Sequence, residues 1–217
     1  MSERERSVHA QGQRKPVVVV LHGPAGVGKD SVIELLRGRT GIHRATSSTT
    51  RKPRAGELPG VDYHFLSVEE FEKGIAAGQF IEWARVYDDL KGVHVSEVTG
   101  PIEAGEDLII RTDVQGARTW RKKLDGAVFV FLMAEDRAVL RERLTRRGSE
   151  TQTSLERRLA EIDEELDDIP NNDYVVYNQR DALEQAVDEL AAVIEREREN
   201  PERPVPRLRQ GAEAAQA

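Results

Sequence analysis

The chain has 217 residues, 38% hydrophobic and 33% charged, enough for one α/β domain with a substantial core. Cysteine is absent, which excludes disulfides, a thiolate nucleophile and zinc–thiolate sites. A net charge of -7 argues against a global basic surface for nucleic acid, and no apolar run is long enough to span a membrane, so an anionic ligand must be met by local Arg and Lys clusters.

The opening residues, Met1 to Arg6, lack the apolar core of a signal segment, so the cytoplasm is the expected compartment. Residues 1–15 are polar and aperiodic and read as a disordered tail. Val17 to Leu21 is the first core strand. It delivers the chain to Gly23-Pro24-Ala25-Gly26-Val27-Gly28-Lys29-Asp30, then Ser31 and an amphipathic helix to about Arg37. This is a phosphate-binding loop. Its glycines permit positive φ and let backbone N–H groups approach an anion. The helix aims its N-terminal dipole at the phosphates, and Lys29 supplies a charge for the β- and γ-phosphates. One residue is irregular: Asp30, a carboxylate, stands where a hydroxyl normally holds magnesium.

Further on, a polar β-branched segment over 44–50 leads into a turn-rich stretch over 52–60. Asp62 to Leu66 is a short strand, and Ser67 with Glu70 makes a capping box for a helix to about Ala77. Phe80 to Val86 alternates as a strand. Asp107 to Thr112 and Phe129 to Leu132 are core strands, with a crossover helix from Gly116 to Lys123. Asp136 to Arg146 and Ser154 to Leu166 are charged helices separated by Arg147-Gly148-Ser149. Tyr174 to Tyr177 is a strand and Asp181 to Glu197 a final helix; the Pro- and Arg-rich remainder over 198–217 reads as disordered. Alternating strand and helix implies an α/β fold, a parallel sheet with helices on both faces.

Two further segments carry chemistry: Ser47-Ser48-Thr49-Thr50-Arg51-Lys52-Pro53-Arg54, with Gly60-Val61-Asp62-Tyr63 after it, and Asp113-Val114-Gln115-Gly116-Ala117-Arg118. Arg51 and Arg54 offer forked donors suited to a phosphate, or they form a solvated loop face. A buried carboxylate at Glu82 or Asp113 can accept from the N1–H and N2 donors of guanine, and a Ser47 hydroxyl can donate to O6. Adenine would leave such acceptors unpaired. Strand alternation could instead turn Glu82 to water, Asp113 could be a helix N-cap, and Tyr63 could be core packing. The histidines show no ligand spacing.

With the phosphate loop and Phe80-Ile81-Glu82-Trp83-Ala84, these segments resemble the guanylate kinase family in order and spacing over residues 16–196. The resemblance implies a P-loop nucleoside monophosphate kinase fold. Its core takes 16–45, 96–136 and 167–197; a GMP-binding subdomain takes 46–95; a helical lid takes 137–166. It implies phosphoryl transfer from ATP, with magnesium, to GMP or dGMP. It also implies that residues 23–31 and Asn178 hold ATP, and that Arg51, Arg54 and Tyr63 hold the acceptor's phosphate. Ser47, Glu82 and Asp113 would read the guanine, and Arg147 and Arg158 in the lid, with Lys29, would serve the transferring phosphoryl.

The chain departs from the family at four positions. Asp30 replaces a hydroxyl residue, Arg111 an acidic one, Lys91 a phosphate-binding tyrosine, and Val93 a small hydroxyl residue. Asp30 is expected to lie near magnesium, offsetting the carboxylate missing at Arg111, and Lys91 to take over a phosphate contact. Three functions follow: a kinase of GMP or dGMP, a relative acting on another nucleotide or a sugar phosphate, and a catalytically inactive binding domain.

Overall fold

The computed structural model describes residues 15–86, 88–136, 139–140, 142, 162, 165–209 and 215–216. In chain order its elements are β1 (Val18–His22), α1 (Lys29–Thr40), β2 (His43–Arg44), β3 (Ser47–Thr49), β4 (His64–Phe65), α2 (Val68–Ala76), β5 (Phe80–Val86), β6 (Asp89–His94), α3 (Ser96–Ala104), β7 (Leu108–Arg111), α4 (Val114–Lys123), β8 (Leu124–Asp125), β9 (Val128–Met133), β10 (Tyr174–Tyr177), α5 (Leu183–Glu199), β11 (Arg207–Leu208) and β12 (Ala215–Gln216).

The valine run forms the centre of a five-stranded sheet in the order β10-β9-β1-β7-β2. Every pairing in it is parallel. Val19 and Leu21 enter a core with Val32, Ile33 and Leu36 of α1 and Val187 and Leu190 of α5. Val18 and Val20 enter the opposite core with Val98 of α3 and Ala117 and Trp120 of α4. Helices thus cover both faces, which is why the strand is apolar at every position rather than at alternate ones. Each Val or Leu side chain fully buried in these cores contributes about 1.5–3 kcal/mol.

A second five-stranded sheet has the order β12-β5-β6-β3-β4. It is mixed, with β6 antiparallel to both β3 and β5. Its small core is Phe71 of α2 stacked on Phe80 of β5, ring centroids 4.2 Å apart, together with Leu90. The capping box at Ser67 and Glu70 is present in full. A register shift between Phe80 and Glu82 interrupts the alternation of β5. Phe80, Ile81 and Glu82 are consequently all buried.

Residues 200–209 differ from the disorder expected of their composition. Arg203 is 6% exposed, with Nη2 donating to the Pro16 carbonyl at 2.9 Å and Nε to the Glu197 carbonyl at 2.8 Å. β11 then pairs antiparallel with β8. One buried guanidinium fed by main-chain carbonyls pins the segment, and composition alone carries no sign of that. Beyond residue 214, β12 lies parallel to β5 at Glu82 and Trp83. Arg147 and Arg158 lie outside the described residues, as do residues 1–14, expected to be a tail.

Candidate active site

β1 ends in His22, and the loop follows with Gly23, Gly26 and Gly28 at φ 134°, 82° and 97°. These are left-handed conformations that only glycine adopts without strain. At Gly28 the lack of a side chain also admits a neighbour: a Cβ there would collide with the Asn178 amide. That amide is buried and donates to the Val27 carbonyl at 2.8 Å. The structure therefore places Asn178, expected near ATP, beneath the loop as its brace.

Lys29 opens α1, with Nζ donating to the Gly23 carbonyl and, at 3.1 Å, to that of Pro24. Desolvation among the loop's main chain, with the Arg111 charge second, brings the Lys29 ammonium down to about 8. Asp30 and Ser31 are exposed on the first turn. The Asp30 carboxylate is held by Arg111: Nε stands 2.8 Å from Oδ1, and Nη2 donates to Oδ2 at 3.0 Å. Arg44 Nη2 is 3.6 Å from the same group. The oxygens expected to face magnesium are thus engaged by guanidinium groups. Among the described residues no group of three His, Cys, Asp or Glu side chains could hold a metal ion. This donor set does not make a resident metal site.

The loop shares one cleft of about 570 Å³ with residues of the second sheet and of the turn after β7. Of the residues singled out in the sequence, Gly23 to Gly26, Gly28 to Asp30, Ser47, Glu82, Lys91 and Asp113 line it. Asp113 combines two roles. Its Oδ1 caps α4, accepting from the Gly116 N–H at 2.7 Å, while the residue faces the cleft. Glu82 is 9% exposed, and its Oε2 is buried without a hydrogen-bond partner among the described residues. Burial, with the Asp113 charge adding to it, pushes its carboxyl up to about 7. The register shift in β5 turns Glu82 inward despite strand alternation.

Lys91 on β6 links the cleft to a cationic corner. Its Nζ donates to the Tyr63 hydroxyl at 3.3 Å and lies 5.1 Å from that ring's centroid. The Arg51 guanidinium sits 5.4 Å from the same centroid, and its Nη2 meets Glu57 at 2.8 Å. The structure thus gathers Arg51, Tyr63 and Lys91. Arg54 is exposed on the neighbouring turn, where its N–H donates to Glu57 at 2.7 Å.

Residues 13–197 match the family described as Guanylate kinase. The chain belongs to the guanylate kinase family. It is 40% identical over 183 residues to a guanylate kinase of Halalkalibacterium halodurans, covering 84% of this chain and 89% of that one. It is 42% identical over 184 residues to a guanylate kinase of Symbiobacterium thermophilum, covering 83% and 85%. Guanylate kinase 2, chloroplastic/mitochondrial, of Oryza sativa subsp. japonica is 39% identical over 186 residues; the match covers 85% of this chain and 65% of that longer relative. Among solved structures, a guanylate kinase from Anaplasma phagocytophilum superposes with a TM-score of 0.65 at 27% identity, covering 88% and 90% of the two chains.

Within this guanylate kinase fold the cleft also takes in residues not singled out as binders. They include Trp83, Arg85, Arg111, Gln115 and Glu165. Gln115 lies inside the Asp-Val-Gln-Gly-Ala-Arg segment and was within reach of sequence reading. Arg85 and Glu165 carry no local signal, because one sits on a strand and the other on a charged helix where solvation is the ordinary expectation.

Proposed function

We propose that the protein transfers the γ-phosphoryl group of ATP to GMP or dGMP, giving ADP and GDP or dGDP. The observation that carries this reading is the single cleft lined by both the Lys29 loop and the buried Glu82 carboxylate, whose Oε2 has no hydrogen-bond partner among the described residues. An oxygen of the GMP phosphate attacks the γ-phosphorus as the bond to the bridging oxygen of ADP breaks. The loop N–H groups and Lys29 hold the donor and stabilise charge as it moves onto ADP. Any divalent metal, which the family's reaction generally needs, would arrive on ATP as part of the substrate.

At the other end, the Glu82 carboxylate would accept from the guanine N1–H and N2 groups, with Asp113 and Ser47 completing the contact. Lys91, with Tyr63 and Arg51 behind it, would meet the acceptor's phosphate. Arg147 and Arg158 are proposed to serve the transferring phosphoryl from a lid over 137–166. The second sheet, over 46–95, is proposed as the acceptor-binding subdomain and the cytoplasm as the compartment. Among the described residues no helix is long and apolar enough to cross a membrane. Phosphorus NMR of a reaction holding ATP, GMP and magnesium tests the proposal: ADP and GDP signals should grow in equal amounts. Loss of ATP without formation of GDP would contradict it.

A further inference from the structure

Arg111 ends β7, and its Cα is in register with Leu21 on the adjacent strand β1, just before the loop's first glycine. Its side chain, 29% exposed, lines the same cleft as Lys29. One edge of the guanidinium rests on Asp30, with Nε 2.8 Å from Oδ1 and Nη2 3.0 Å from Oδ2. A guanidinium carries five donors in a fixed plane, so this contact leaves donors over and sets the direction in which they point. An ion pair this exposed contributes little to stability. Its consequence is the aim of the arginine.

The charges around the loop pair closely. Lys29, Arg44 and Arg111 are cationic; Arg44 Nη1 is 2.8 Å from Glu34, and the carboxylates acting on Lys29 are Glu165, Asp113 and Asp30. For Asp30 to ligate a metal ion, the ion would have to sit beside the guanidinium groups of Arg111 and Arg44, against their charge. An Asp30 that anchors Arg111 avoids that conflict and keeps a second cation beside Lys29 in the cleft that an incoming polyphosphate would enter.

We propose that Arg111 contacts the phosphates of the bound donor nucleotide, and that Asp30 is the positioning residue that holds its guanidinium there. The inference rests on reading the loop as the ATP site. Its consequence is a donor site that accepts the triphosphate's charge on arginine. Metal-free ATP carries about two more negative charges than its magnesium complex, so it gains more from Arg111. Wild-type protein therefore binds the two forms with similar affinity.

Calorimetric titration of the full chain with ATP, in EDTA or in excess magnesium, tests this without turnover. In wild type the two dissociation constants should agree within about tenfold. Arg111→Gln should weaken metal-free ATP by about tenfold or more and the magnesium complex by about threefold or less. Arg111→Lys, which keeps the charge and loses the fork, should retain most of the metal-free affinity. Asp30→Ala, which frees the guanidinium, should bind metal-free ATP less tightly than wild type although it removes a negative charge; a purely electrostatic role for Asp30 would tighten binding. Equal losses on both forms of ATP, equal losses for the Gln and Lys variants, or tighter binding by Asp30→Ala would overturn the inference and leave the ATP site standing. Failure of wild type to bind either form would overturn the donor-site reading and this inference together.

Discussion

At the loop end of the cleft, Lys29 donates to the Gly23 and Pro24 carbonyls, Asn178 braces Val27, and Asp30 rests on Arg111. At the other end, Glu82 Oε2 and the Trp83 indole N–H are buried without hydrogen-bond partners among the described residues. The first end is an anion cradle complete before any ligand arrives, and it asks of a ligand only phosphate charge. The second end carries open donors and acceptors, each costing about 1–3 kcal/mol while unpaired. A ligand that matches them recovers that cost, and one that does not leaves it standing. Under the proposed function, rate belongs to the loop end and selectivity to the Glu82 end.

The largest expected effect comes from Lys29. Lys29→Met should lower kcat on the order of a thousandfold with melting temperature nearly unchanged, because the ammonium stabilises charge and packs little apolar surface. A drop of only a few-fold would move the rate out of the loop end. Glu82→Gln comes next. An amide cannot accept from two guanine donors at once, so kcat/KM for GMP should fall roughly a hundredfold, about 2–3 kcal/mol, while the dissociation constant for ATP stays put. Weakening of ATP to the same degree would erase the division between the two ends.

The pH dependence separates the ends without mutation. Burial raises the Glu82 carboxyl to about 7, so the empty site loses its acceptor as pH falls through 7 and regains it above. The KM for GMP should rise about fivefold between pH 7 and 6, and ATP affinity should not follow it over that interval. A flat GMP profile would mean that Glu82 does not read the base. The smallest effect is expected at Lys91. Lys91→Ala should weaken GMP a few-fold to roughly tenfold and guanosine hardly at all, with the loss shrinking as salt is added. Equal losses for the two ligands, or none for either, would make Lys91 a solvated residue.

Much of this was legible in the sequence where local chemistry dictates geometry. Four valines and a leucine at consecutive positions require a strand covered on both faces. The spaced glycines before Lys29 require a phosphate loop, and Ser67 with Glu70 writes its own capping box. Helix α3 was not legible, because Gly100-Pro101 reads as a turn, yet Pro101 is buried within the helix. The inward Glu82 depends on a register shift set by pairing between β5 and β6, which no single segment encodes. The partnership of Asp30 with Arg111 joins residues 81 apart in sequence. The sequence links the two positions only through a shared magnesium, and the direct contact needed β7 laid beside β1. The order of 200–209 likewise turns on one arginine meeting carbonyls far away in the chain.

The most direct test of the account is ADP release by the wild-type protein with GMP, AMP, CMP and UMP offered in turn at equal concentration. The account predicts turnover with GMP at least a hundredfold above the other three, since only guanine matches the Glu82 end. Robust turnover of another monophosphate with none for GMP would contradict it.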